Sequence, residues 1–325
     1  MLEMPPDVAS IVGVVDTYLR WKNKNKDPRG YSKYHPSEFG KCLRKMQYMR
    51  FVDEGIIQKP EETFTSQQLR LFEKGHNMQA RWTRYFDGIG ILRGLWKCSN
   101  PLCRRFDDSG NYTGNFEKDN HSRIYGLDNP TGVFRPEKCV CGCTHFIYDE
   151  ITVKDDVMNM YGHADLILDF SKFDPLVYDD IVKNFNFEKL PQKSIVVDMK
   201  TIKAERYVEL IDKGPDLGYL VQLTIYANLL DCEYGLLIYE NKNDSSLAAY
   251  KVERNADTWF KAIRKQAEMM NQMAKDKKLP PPRPDRKTSY DCKYCIFKDK
   301  CHSSKLWNDE KLAQMRKDFY GVLLK

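Results

Sequence analysis

No stretch of the 325-residue chain approaches the ~20 apolar residues that a membrane helix requires. The opening segment, MLEMPPDVASIVGVV, has an acid and two prolines where a secretory leader carries positive charge. These absences predict a cytoplasmic protein without a membrane partner. Internal repeats are also missing, which excludes a solenoid or propeller. With 42% apolar and 30% charged residues, the composition is that of a globular chain, not a disordered one. Its length suits one large domain with insertions, or two domains.

Net charge is +6 and unevenly placed. From Lys251 onward there are 19 Lys and Arg against 10 Asp and Glu. A basic end on a slightly acidic body suits a polyanionic partner, although a lysine-rich solvated face gives the same count. Ten cysteines in a cytoplasmic setting argue for metal rather than disulfides. Cys232, in an apolar stretch, reads as a buried small hydrophobe.

Periodicity predicts helices over 7–22, 62–86, 218–232 and 256–278, and 35–51 reads as an entry turn and a helix that Ser37 could cap. Strands are predicted over 88–98, 194–201, 234–242 and 246–254, with a hairpin from 146–155 and 161–170. Residues 104–138, rich in Gly, Asn and Asp, read as a loop or small insertion, and a second insertion spans 171–193. The order of elements predicts an α/β fold with a mixed central sheet flanked by helices.

Within IVVDMKTIK (195–203), Asp198 and Lys200 are two apart and share a strand face. Taken alone, this suits a strand leaving the core with a surface ion pair at its end. GHAD supplies a second carboxylate, Asp165, at the start of another strand. If the two strands are neighbours, the acids converge and repel unless a cation lies between them. Hard oxygen ligands favour Mg2+ or Mn2+. A lysine on the same face then orients water or stabilises developing charge. Gln222 and Tyr226 lie four apart on one helical face, a spacing that equally suits a core helix with one satisfied glutamine.

In order, GHAD, VVDMK and QLTIY resemble motifs II and III and the Q-x-x-x-Y motif of the PD-(D/E)XK nucleases, nearest the RecB-like branch with its AddB and CRISPR-associated exonucleases. The likeness spans about residues 35–301. It implies a restriction-endonuclease-like core and a metal-dependent DNA exonuclease. Asp165, Asp198 and the Met199 carbonyl would hold the ion, Lys200 would position water, and Gln222 and Tyr226 would orient the site or the strand. The branch begins with a G-x-x-x-H helix whose histidine binds metal; here GHNMQ puts Gln79 at that place, with His76 three residues earlier. Either could complete the shell, and a weakened site is a further outcome. The rival reading is a nuclease fold kept as a DNA-holding scaffold in a recombination or replication complex.

Cys42 far upstream and C-x2-C-x5-C (Cys292, Cys295, Cys301) far downstream resemble the iron–sulfur staple of the same branch, implying a [4Fe–4S] cluster. The spacing also suits a four-cysteine zinc site. Cys98 and Cys103, with Cys139 and Cys141 (Cys143 as the alternative), read as two knuckles of a zinc ribbon, with His145 on the surface. Candidate phosphate contacts are Arg44, Lys45, Arg283, Arg286 and Lys287. Tyr290, Tyr294 and Trp307 suit base stacking or burial equally. Expected partners are single-stranded DNA or duplex ends, and a helicase or recombination protein, in a bacterial or phage-infected cell. The chain divides into an N-terminal helical part (1–90), the ribbon insertion (91–150), the core sheet with its Q-x-x-x-Y helix (151–255) and a cysteine-bearing helical end (256–325).

Overall fold

Ile195–Ile202 forms β8, the strand around which the molecule is layered. Ile195, Val197 and Met199 pack on one side with Met78, Trp82 and Phe86. Val196 packs on the other with Leu223, Tyr226 and Ala227. Covered on both faces, the strand reads as a continuous apolar run instead of an alternation. The computed structural model describes residues 6–26, 30–113, 122–174, 189–283 and 289–302.

The other strands are β1 (Leu92–Cys98), β2 (Ile124–Tyr125), β3 (Val133–Phe134), β4 (Phe146–Asp149), β5 (Ile151–Asp155), β6 (Met160–Ala164), β7 (Leu166–Leu168), β9 (Gly235–Asn241) and β10 (Leu247–Val252). The central sheet runs β10–β9–β8–β7–β1–β2, with β3 and β4 also paired to β1. β8 and β9 are parallel and the remaining pairs antiparallel, so the fold is α/β with a mixed central sheet flanked by helices.

The helices are α1 (Pro6–Lys24), α2 (Pro36–Phe39), α3 (Leu43–Asp53), α4 (Ser66–Ile89), α5 (Ala204–Lys213), α6 (Leu217–Leu229), α7 (Lys261–Lys275), α8 (Tyr290–Lys293) and α9 (Lys298–His302). α4 opens on a capping box between Thr65 and Gln68 and closes at Gly90, whose φ of 84° suits a residue without Cβ. It covers one face of the sheet; α6 covers the other.

Three expectations are corrected. The entry turn of 35–51 is itself a short helix, α2, separated from α3 by a break at Gly40–Cys42, and Ser37 lies inside its first turn instead of capping the longer helix, whose N-cap is Cys42. The break lets Gly40 approach Gly218 of α6, where a Cβ would come within 2.6 Å of the Gly218 Cα. The hairpin is narrower than 146–170: β5 and β6 pair with each other, whereas β4 joins β1 and β7 joins β8. The stretch after β8 holds a helix, α5, that periodicity did not single out.

Candidate active site and cysteine centres

β7 runs antiparallel to β8 with Leu166 opposite Val197 and Ile167 opposite Val196. One step further, the same register sets Asp165 opposite Asp198. Ile167 and Val196 face α6, so the period of two places Asp165, Asp198 and Lys200 on that face as well. Directly opposed like charges in a ladder repel. Asp198 is 2% exposed. Its Oδ1 accepts from Lys200 Nζ at 2.6 Å, and its buried Oδ2 has no hydrogen-bond partner. A buried carboxylate oxygen left unpaired costs at least about 1–3 kcal/mol.

Burial and the Asp198 charge together hold the Asp165 carboxyl well above the usual carboxylate range. Burial would lower Lys200, but the charges of Asp198 and Asp165 outweigh it and raise the ammonium. The ammonium form of Lys200 is thereby favoured. Its ammonium also lies 4.8 Å from the Tyr219 ring centroid.

Asp165, Lys200 and Tyr219 border an open cleft of about 880 Å3 between α4, α5 and α6 at the C-terminal end of β8, the end where open α/β sheets bind ligands; Asp198 is buried behind that wall, bonded to Lys200. His76, Gln79, Asp165, Met199, Lys200 and Tyr219 all line it. His76 is exposed, whereas Gln79 donates from Nε2 to Glu150 Oε1 at 2.9 Å. Glu150 adds a third negative charge near Asp165; it sits between β4 and β5, and no spacing in the sequence ties it to the motifs. Tyr219, one turn before Gln222, was likewise not singled out. Gln222 and Tyr226 are buried rather than cleft-lining. The Tyr226 hydroxyl abuts Gly162 of β6, and Gln222 Oε1 has no hydrogen-bond partner.

The donor set of the cleft fits a hard cation. Two carboxylates oppose each other at its wall, Asp165 lining the cleft and Asp198 buried behind it with an unpaired oxygen, beside a glutamine amide and the Met199 backbone. Mg2+ commonly takes one or two carboxylates and keeps several waters.

Cys98, Cys103, Cys139 and Cys141 come together with all four sulfurs within 4.8 Å of one another. Cys103 and Cys139 sulfurs are 3.2 Å apart, and those of Cys98 and Cys141 3.7 Å apart. A tetrahedral Zn–S bond of ~2.3 Å implies sulfurs roughly 3.8 Å apart, so this buried group could hold one metal ion. Cys143 stands outside it, its Sγ 3.3 Å from the Ser99 hydroxyl, and His145 is exposed as expected. Cys232 is fully buried in the core.

Cys42, Cys292, Cys295 and Cys301 line one small cavity with Arg44, Lys45 and Arg283. Burial pushes the Cys42 thiol up to about 12 and raises Cys295, against the opposing pull of Arg283 and Lys45.

This cavity corrects the expected phosphate contacts. Arg44 is 2% exposed and donates to the Pro280 carbonyl at 2.7 Å. Arg283 donates to the Lys41 carbonyl at 2.7 Å and lies 3.3 Å from Asp291. Arg44 is held inside the protein as a neighbour of the thiols, whereas Arg283 and Lys45 line the same cavity and are partly exposed. Arg286, Lys287 and Trp307 lie outside the described residues, as does the Tyr290 side chain; Tyr294 is exposed.

No family model matches the chain, and no curated protein matches it. A solved structure described as the crystal structure of SSO0001 aligns at 16% identity with a TM-score of 0.41, over 92% of this chain and 98% of that one. At that TM-score the likeness carries no inference about fold or function.

Proposed function

We propose that the chain is a metal-dependent deoxyribonuclease with a PD-(D/E)XK core of the RecB-like type, acting as an exonuclease on DNA. The supporting observation is the ladder position of Asp165 opposite Asp198, with an unpaired buried carboxylate oxygen and Lys200 at 2.6 Å on the wall of an open cleft. Asp165, Asp198, the Met199 carbonyl and Gln79 would hold Mg2+ or Mn2+, which supplies Lewis-acid polarisation of a phosphoryl oxygen and a more acidic water. Lys200, fixed by Asp198 and the Tyr219 ring, donates to the attacking water or to the developing negative charge. Glu150 holds the Gln79 amide in place. Zinc at Cys98, Cys103, Cys139 and Cys141, and a [4Fe–4S] cluster at Cys42, Cys292, Cys295 and Cys301, complete the reading. The cluster is favoured over a second zinc by the likeness of these cysteines and their spacing to the iron–sulfur staple of that branch.

A DNA-holding scaffold is the second reading, and Gln79 standing where that branch carries a histidine favours it, because an amide oxygen is a weaker metal ligand than an imidazole. End-labelled single- and double-stranded DNA incubated with Mg2+ or Mn2+ separates the two. The nuclease reading expects stepwise shortening that Asp198→Ala slows at least about a hundredfold, some 2.7 kcal/mol of barrier. DNA bound but left intact by the wild-type protein would favour the scaffold. Shortening that survives Asp198→Ala would place the chemistry elsewhere.

A further inference from the structure

Beyond the catalytic groups, the cleft has a basic rim that none of the sequence motifs includes. β8 and β9 are parallel with Ile202 beside Asn241, and the Lys242 backbone N–H donates to the Ile202 carbonyl at 2.9 Å. The next residues, Lys203 and Lys242, therefore emerge together, and both line the cleft that holds Asp165 and Lys200. Lys74, on α4 directly before the cleft-lining Gly75 and His76, is the third. Burial and the positive charges of Lys74 and Lys203 hold the Lys242 ammonium below its usual range. All three are exposed, and among the described residues none makes an ion pair, whereas Arg206 on the same cleft is engaged by Glu209 at 2.9 Å. Lys203 is also the N-cap of α5, where the helix dipole disfavours a cation. Three crowded lysines from three elements, one of them on a helix N-terminus, concentrate uncompensated positive charge beside two carboxylates. Local preference would not arrange this.

We propose that Lys74, Lys203 and Lys242 form a clamp for the phosphodiester backbone of a nucleic-acid strand, seating it so that one phosphate reaches Asp165, Asp198 and Lys200. The clamp deepens the nuclease reading and rests on it for that final placement. Three separate elements set the lysines around the cleft mouth, so contiguous phosphates contact them whatever the bases. Recognition is then electrostatic and indifferent to sequence.

The test is binding of the full chain to fluorescein-labelled 20-nucleotide single strands of two sequences, and to one matching duplex, in EDTA over a NaCl series. The triple variant Lys74→Gln, Lys203→Gln, Lys242→Gln is expected to bind more weakly, about 10- to 100-fold at low salt. Its slope of log affinity against log salt should be shallower by about 2 on single strands, since each phosphate contact accounts for roughly 0.7. Both sequences should lose equally. The corresponding triple arginine variant, which keeps charge, should retain wild-type affinity, and each single Lys→Gln change should lower the slope by about 0.7. The single-strand and duplex arms report which form the clamp grips. Unchanged affinity and slope in the triple glutamine variant would overturn the clamp, as would absence of DNA binding by the wild type. Lysine-dependent binding without Mg2+- or Mn2+-dependent cleavage would leave the clamp standing and remove the nuclease reading.

Discussion

At the scale of single residues, the cleft works against its own stability. Burial and Asp198 oppose ionisation of Asp165, so its folded pKa lies above the unfolded one. The stability this linkage contributes is fully present below the unfolded value and lost as pH rises through the folded one. Without metal, the wild-type protein should therefore weaken on leaving the acid range, and Asp165→Asn, which cannot ionise, should not. Calorimetry in EDTA is expected to give the variant a higher Tm at pH 7–8, by about 2–4 °C for each kcal/mol of repulsion relieved. The gap should close towards pH ~4, where an ordinary carboxyl protonates. Mg2+ should raise the wild type alone, by mass action on the folded state. An equal Tm at all pH values would mean that the two carboxyls do not interact. Asp165, Asp198 and Lys200 were legible because a period of two needs only local sequence. Glu150 was not, because it reaches Gln79 across 71 positions. Arg44 was misread, because a charge in a basic stretch looks exposed until the carbonyl of Pro280 is seen beside it.

At the scale of elements, α6 holds the cleft wall, and its seat is set by small residues. Gly40 has φ of −78°, ordinary for any amino acid, so only space requires glycine there. A Cβ would sit 2.6 Å from the Gly218 Cα, 3.0 Å from the Val221 Cβ and 3.1 Å from the Gly218 carbonyl oxygen. Backbone cannot swing aside as a side chain does. Gly40→Ala is expected to cost about 1–3 kcal/mol in urea unfolding, the usual penalty of overpacking, and to lower activity by displacing Tyr219 from Lys200. Gly88→Ala on α4 meets nothing within 4 Å and should stabilise by about 0.5–1 kcal/mol, the helix preference of alanine. A neutral Gly40→Ala would mean that α2 is free to shift. Periodicity revealed α4 and α6 because their apolar positions are many. It missed α5, ten residues long with Val208 and Ile211 more than half exposed, because a short amphipathic stretch next to a strand end carries little signal. Ser37 was misplaced as the cap of the longer helix because α2, only four residues long, shows no period of its own.

At the scale of the whole molecule, two cysteine centres anchor different parts of the chain. One joins the end of β1 to residues 139–141, closing a stretch in which β2 and β3 are only two residues long each and depend on β1 for pairing. Such short strands cannot hold themselves, so a metal there acts as part of the folding free energy. The other gathers Cys42, between α2 and α3, with three cysteines some 250 positions later. Spacing alone marked both groups but could not rank zinc against iron for the second, because sulfur separations exist only in the fold. In the fold the first group brings four sulfurs within 4.8 Å of one another, and the second lines one small cavity. Protein purified without air should therefore carry both elements in independent places. Cys98→Ser should remove the zinc, keep the iron and its brown absorbance, and unfold at a lower temperature. Cys292→Ser should do the reverse, losing iron and colour while retaining zinc. Elemental analysis and visible spectra of the two variants measure this directly. Zinc alone at both centres, in colourless anaerobic protein, would reject the cluster and assign Cys42, Cys292, Cys295 and Cys301 a single ion.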